Sequence, residues 1–347
     1  MKLRARALAS ALVLLGALGR GASAQALTAP LAPAIASEAT AEVLRVVDGD
    51  TLDVLLDGER RTLRLESVDT EEKITGRADS SPSKPQTVFG QETATWARDL
   101  FAALGERPKV GLAFPGGRHD DAFGRLLCHV ILPDGRDFNL LLVAEGKSPY
   151  FNKYGNSLVA HEAFVRAQGT ARERSLGIWN PATNRAKTPG LPSAVRPYER
   201  LLPWWDARAA AIDDFRERAA RSPERVVAAD DAGALACALR FSQEHPGERV
   251  AVFCAVERFF EEPDGSLTAR MQAGGEHGHL RFSLPAGERG GELERFLRAS
   301  TAEFRQNYLW AEGALASGER GIVLIAPGRE RWRTAEPAYP RESSSKR

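Results

Sequence analysis

Residues 42–69, EVLRVVDGDTLDVLLDGERRTLRLESVD, decide the fold. "EVLRVVDGD" reads as a strand, "TLDVLLDG" alternates apolar and polar residues, and Asp57-Gly58 is a turn dipeptide leading into "RRTLRLESVD". That pattern predicts three consecutive strands in a meander, part of a small barrel or sheet. Beyond it, Lys73 to Gln91 with Gly76, Pro82 and Pro85 reads as a loop, and "QETATWARDLFAALG" has helical spacing. "KVGLAF" and "RLLCHVIL" are strands, Asp134-Gly135 is a hairpin turn, and "FNLLLVAEG" starts as a strand edge or a helix that Gly146 stops. A helix over 161–175 follows, ahead of "LGIWNP".

The same stretch carries the chemistry. Asp48, Asp50, Arg64, Asp69, Glu71 and Glu72 crowd around apolar strands. Asp50 stands at a strand junction and Asp69 ends the third strand, so neighbouring strand ends present both carboxylates to one hard cation. Oxygen donors of this kind suit calcium or magnesium better than zinc. Taken singly, either aspartate would be read as a turn former.

"VVDGDTLDVLLDG" from Val46, "LRLESVDTEE" from Leu63, "DAFGRLLCHV" from Asp121 and "LGIWN" at 176–180 together resemble the staphylococcal-nuclease-like (thermonuclease) family over residues 40–181. The resemblance implies a five-stranded OB-type barrel with three helices, and a secreted, calcium-dependent endonuclease or phosphodiesterase acting on DNA, with action on RNA left open. It implies Ca2+ ligation by Asp50, Asp69 and the carbonyl of Thr70. Glu72 would be the general base that activates or orients water, with Arg64 and Arg125 binding the phosphate. Such a set is coherent, because guanidinium forks and a divalent cation neutralise the charge that phosphodiester hydrolysis builds. Two departures from the family pattern stand beside the site: Glu71 replaces the usual proline, and Ala122-Phe123 replace the usual Lys-Tyr. The family's substrate-binding aromatic falls on Tyr150 or Tyr154. The alternative is a catalytically silent nucleic-acid-binding or envelope interaction module on the same fold.

The whole chain has 347 residues, room for two domains at roughly 150 residues each. With 43% hydrophobic and 27% charged residues it is neither disordered nor a polytopic membrane protein. A formal net charge of +1 gives no bulk attraction to polyanions, so nucleic-acid contacts must be local. Lys2, Arg4 and Arg6, an apolar run from Ala7 to Leu18, and Ala22-Ser23-Ala24 read as a secretory signal peptide over 1–24, with a retained anchor as the other reading. The expected protein is secreted or periplasmic, without a membrane span once that segment is removed, and no protein partner is identifiable. Cys128, Cys237 and Cys254 allow at most one bridge, between Cys237 and Cys254, or three independently placed thiols.

The expected class is mainly β with α (α+β), two barrels in series. A flexible leader at 25–39 precedes the nuclease-like domain at 40–182, a Pro-rich linker spans 183–204, a helical lead-in and OB-like domain occupies 205–335, and a disordered tail covers 336–347. The second barrel is inferred from element order alone: helices over 205–221 and 230–244, three strands starting with "RVAVFCAVERFFEE", a helix over 292–307 and two strands. No internal repeat is evident. His277 and His279 read as a solvated hairpin rather than a metal pair. Trp204-Trp205, Phe259-Phe260 and Trp310 read as core rather than base-stacking residues, and Arg270, Arg281 and Arg298 as scattered surface charge.

Overall fold

The computed structural model describes residues 35–76, 84–121, 123–185, 194–271, 280–301 and 307–335. The expected signal segment, most of the expected leader, His277, His279 and the expected tail lie outside them.

Strands β1 (Ala39–Asp48), β2 (Thr51–Leu56) and β3 (Glu59–Leu65) form the expected meander. Helix α1 (Val88–Ala103) then leads to β4 (Lys109–Ala113) and β5 (Leu126–Ile131). The sheet closes in the order β1-β2-β3-β5-β4, with β3 and β5 parallel and every other pair antiparallel. Alternation does the building: Leu52, Val54 and Leu56 point inward from β2 and Leu63 and Leu65 from β3, all buried in one core. Helix α1 begins three residues before the expected start because the Thr87 hydroxyl caps it, accepting from the Gly90 N–H. "FNLLLVA" resolves as a helix, α2 (Phe138–Ala144), because Asp137 caps it by accepting from the Asn139 N–H. Helix α3 (His161–Glu173) joins α2 on the barrel, supplying Phe164 to the core as α2 supplies Phe138 and Leu142.

Helix α4 (Tyr198–Arg221) starts inside the segment expected to be a linker. Pro203 lies within it and removes one helical hydrogen bond, a loss of about 3 kcal/mol in an ordinary helix interior. Burial opposes that cost: Leu201, Trp204 and Trp205 pack with Phe151 and Trp179 against the first barrel. The far half of α4 places Ala211, Ile212 and Phe215 on Phe253, Ala255 and Trp310 of the second barrel. The proline-rich stretch therefore ends in a strut shared by both barrels.

The second barrel contains two strands that sequence patterning missed, β6 (Val226–Ala228) and β12 (Trp332–Thr334), both three residues long. Between them come α5 (Ala232–Glu244), β7 (Val250–Glu261), β8 (Leu267–Met271), β9 (Leu280–Leu284), α6 (Glu292–Ala299), β10 (Tyr308–Gly318) and β11 (Gly321–Ile325). Pairing of β10 with β7 closes the ring β7-β8-β9-β11-β10. β9 and β11 are parallel and the remaining pairs antiparallel. That is the order and polarity of the first barrel, with α6 where α1 stands. The OB-like expectation holds, and the chain repeats one topology although its sequence shows no repeat. Helix α6 is shorter than the expected 292–307, ending at Ala299.

Cys128 and Cys254 are buried free thiols and Cys237 is an exposed one, so the Cys237–Cys254 bridge is not formed. Cys254 faces the second core from β7, whereas Cys237 lies on the outside of α5. No helix among the described residues is long and apolar enough to cross a membrane.

Candidate active site

Asp50 follows the tight Asp48-Gly49 turn between β1 and β2. A side chain at Gly49 would press on the Thr70 and Thr93 side chains at 2.8 Å, so glycine lets the turn pack directly against Thr70. Asp69 lies four residues beyond β3, past Ser67 in a left-handed conformation and Val68, which pairs with Tyr150. Its backbone N–H donates to the Ser148 hydroxyl at 2.8 Å. The two carboxylates converge: one Arg64 nitrogen donates to Asp50 Oδ2 at 2.6 Å and another to Asp69 Oδ1 at 2.8 Å. The Thr70 N–H donates to the same Asp50 Oδ2 at 2.9 Å.

Asp69 is fully buried and ringed by cations. Lys84 Nζ lies 2.7 Å from Oδ1, and Arg196 donates to Oδ2 and, at 3.0 Å, to the Asp69 carbonyl. Burial alone would raise the Asp69 pKa, but Arg196, Lys84 and Arg64 outweigh it and hold the carboxyl far below the usual range. Asp48 moves the other way, to about 6, through burial reinforced by the Asp50 charge.

Glu72 stands beside this pair with its side chain 38% exposed, Oε1 3.5 Å from Lys84 Nζ. Its backbone is fixed by the Thr87 N–H, which donates to its carbonyl at 3.0 Å, and by Gly90, where any side chain would strike the carbonyls of Glu71 and Glu72. The start of α1 thus positions Glu72. Glu71 turns away from the site and is buried, accepting from Thr87 Oγ1 at 2.5 Å, Asn184 at 2.6 Å and the Tyr198 hydroxyl at 3.2 Å. The replacement of the family's proline is a structural tie to α1 and α4.

Arg125 precedes β5. With Leu63 opposite Leu126 and Arg64 opposite Leu127, it falls one step further back on the outer side of the barrel, beside the strand that carries Arg64. Asp121 holds it at 2.6 and 2.8 Å and organises the turn by accepting from the Phe123 and Arg125 N–H groups. The Phe123 ring is 83% exposed, 5.3 Å from the Arg125 guanidinium. Ala122 lies outside the described residues.

The two tyrosines separate. Tyr150 is a core residue, stacked on Phe164 at 5.0 Å with its hydroxyl held by His161 and the Ser157 N–H. Burial pushes that hydroxyl to about 12, and the ring offers no surface to a substrate. Tyr154 is exposed beside Phe151 and Lys153. Lys84 and Arg196 were not foreseen as site residues: Lys84 sat in a stretch read only as loop, and Arg196 lies 127 residues from its partner in a stretch read as linker.

An oxygen-only donor set of Asp50, Asp69 and the Thr70 carbonyl fits a hard cation such as calcium, which takes six to eight oxygens and completes its shell with water. No cluster of three or more His, Cys, Asp or Glu side chains forms among the described residues, so a cation held here would draw its remaining oxygens from protein carbonyls and water.

The profile of the family described as "Staphylococcal nuclease homologue" matches residues 62–181, a span that starts after Asp50 and stops before Arg196. An "Uncharacterized endonuclease" of Escherichia coli O157:H7 is 25% identical over 150 residues, 43% of this chain and 83% of that protein. "Protein ParB" of Escherichia coli is 28% identical over 191 residues, 53% of this chain and 90% of its own length. The "Thermonuclease" of Staphylococcus hyicus is 31% identical over 146 residues, 42% of this chain and 78% of that enzyme. With that extent of identity joined to the closed barrel and its converging carboxylates, the chain belongs to the staphylococcal nuclease homologue family.

Proposed function

We propose that the protein is an exported, calcium-dependent nuclease that hydrolyses phosphodiester bonds of DNA and RNA. The observation that carries this reading is the convergence of Asp50 and Asp69, from separate strand ends, within 2.6 and 2.8 Å of one guanidinium. Asp50, Asp69 and the Thr70 carbonyl hold the calcium ion, which supplies charge neutralisation at the phosphate. Arg64 leaves its carboxylates to bind a phosphoryl oxygen, and Arg125 binds the phosphate from the adjoining strand. Glu72, exposed and only loosely paired, orients water and accepts its proton. Tyr154 or the Phe123 ring lies against the bound nucleotide, a role Tyr150 cannot fill from the core.

One observation favours the catalytically silent alternative: Arg64, Lys84 and Arg196 already neutralise Asp69 from within. An ion-pair network of this kind is self-sufficient, whereas the half-exposed Glu72 has use only if turnover occurs. Glu72→Gln separates the readings. The nuclease reading expects cleavage to fall about 100-fold or more with calcium binding, followed calorimetrically, preserved. Parent-like cleavage by the variant removes Glu72 from the reaction.

A further inference from the structure

The second barrel carries a row of three arginines on adjacent strands. Arg258 on β7 lies opposite Arg270 on β8, and Arg270 lies opposite Arg281 on β9. Strands about 4.8 Å apart bring these three backbones within about 10 Å. The inward neighbours, Leu267, Ala269 and Met271 on β8 and Leu280 and Phe282 on β9, fill the core, so the arginines stand on the outer face. Among the described residues, the carboxylate partner within this row is Glu257, 2.9 Å from Arg270, while Glu261 nearby is taken by Arg289 and Arg298. The Nε atoms of Arg270 and Arg281 are buried without a hydrogen-bond partner.

Like charges directly opposite each other across strands are destabilising, and an unsatisfied buried donor adds to the cost. The first barrel, with the same topology, avoids this. Its row is Arg45, Asp53 and Thr62, and Asp53 accepts from Arg45, Arg60 and Thr62 at 2.7–2.8 Å. A row of three arginines with one carboxylate paired to it among the described residues, kept at a cost in stability, points to an anionic ligand. The second observation is aromatic: Phe260, half buried on the same face, has the Arg258 and Arg270 guanidinium carbons 5.7 and 5.4 Å from its ring centre. From sequence, Arg270 and Arg281 read as scattered surface charge and Phe259-Phe260 as core; Phe259 packs on the core, whereas Phe260 is half buried on the outer face.

We infer that the outer face of β7, β8 and β9 binds single-stranded nucleic acid, with Arg258, Arg270 and Arg281 on consecutive phosphates and Phe260 stacking on a base. Strands two and three of an OB barrel are the face on which this fold receives oligonucleotides, and β8 and β9 hold that place here. Guanidinium groups beside a partly exposed ring are what a strand needs when backbone charge and base stacking, not sequence, are recognised. The inference goes beyond the proposed function: binding here does not require cleavage in the first barrel. If both hold, the second barrel retains strands that the first one cuts.

The test is fluorescence anisotropy of a labelled 20-nucleotide oligo-dT with the full chain in excess chelator, across a salt series. Arg258→Ala with Arg281→Gln should weaken binding about tenfold and flatten the slope of log affinity against log salt by about 1.4, near 0.7 per phosphate contact on a single strand. Phe260→Ala should weaken it about tenfold without changing the slope. Arg258→Ala alone, at an exposed position, provides a variant whose folding is not at risk. Unchanged affinity in all of these would overturn the inference. So would polyglutamate binding as tightly as the oligonucleotide, with the same losses, since that marks an acidic-peptide surface. Cleavage of a trinucleotide with calcium, measured alongside, reads the first barrel independently: its absence defeats the nuclease proposal and leaves the binding result to stand alone.

Discussion

Arg196, outside the matched family region, is part of the ion-pair framework around Asp69, and removing it should be costly. Its side chain is 3% exposed, and its guanidinium satisfies both Oδ2 and the backbone carbonyl of the fully buried Asp69. Breaking a buried pair costs about 3–5 kcal/mol because a charge is left without its partner. Arg64 and Lys84 remain on the other oxygen, Oδ1, so the low end of that range applies. A loss of about 3 kcal/mol in Arg196→Ala corresponds to a melting temperature lower by roughly 6–12 °C for a domain of this size. Arg196→Lys keeps the charge but loses the two-pronged contact, and should recover about half of the loss. Differential scanning calorimetry of the full chain reads both. A shift below about 1 °C in Arg196→Ala would refute the reasoning, showing that Arg64 and Lys84 alone hold Asp69.

Gly49→Ala should cost about 1–3 kcal/mol by crowding Thr70 and Thr93, and should lower calcium affinity as well if the Thr70 carbonyl is a ligand as proposed; calorimetry with calcium titration checks both. Phe123→Ala should leave stability within about 0.5 kcal/mol, since the ring is 83% exposed, while raising KM for single-stranded DNA; a kcat loss with unchanged KM would argue against substrate contact. Burial opposes protonation of His129, but Asp137 at 2.8 Å, helped by Glu66, overcomes it and raises its pKa. The raised folded value means that this stabilisation is complete below the ordinary value of 6.5 and fades as pH rises through the folded pKa. Wild-type melting temperature should therefore fall over that window, and His129→Asn should remove that component.

The first barrel was legible because β2 alternates apolar and polar residues, Asp57-Gly58 marks the turn into β3, and carboxylates crowd the strand ends, even though register shifts interrupt β1. The second barrel was legible only as an order of elements. β6 and β12, at three residues each, give alternation no length in which to register. Helix α4 was read short because Pro203 normally forbids a helix interior, and tertiary burial of Leu201, Trp204 and Trp205 overrode it. Tyr150 has the polarity of a ligand contact, and nothing local announces that its hydroxyl is satisfied by His161 and Ser157. Arg196 and the Arg258-Arg270-Arg281 row are products of long-range register. Each arginine is unremarkable alone, and only strand pairing or chain return brings it to its partner.

Calcium-dependent cleavage is best measured by incubating the purified protein with heat-denatured DNA, with calcium or with excess chelator, beside Arg125→Ala. The account predicts cutting that requires calcium and that falls by at least about 100-fold in the variant. DNA left whole in the presence of calcium, or cutting that persists undiminished in chelator, would contradict it.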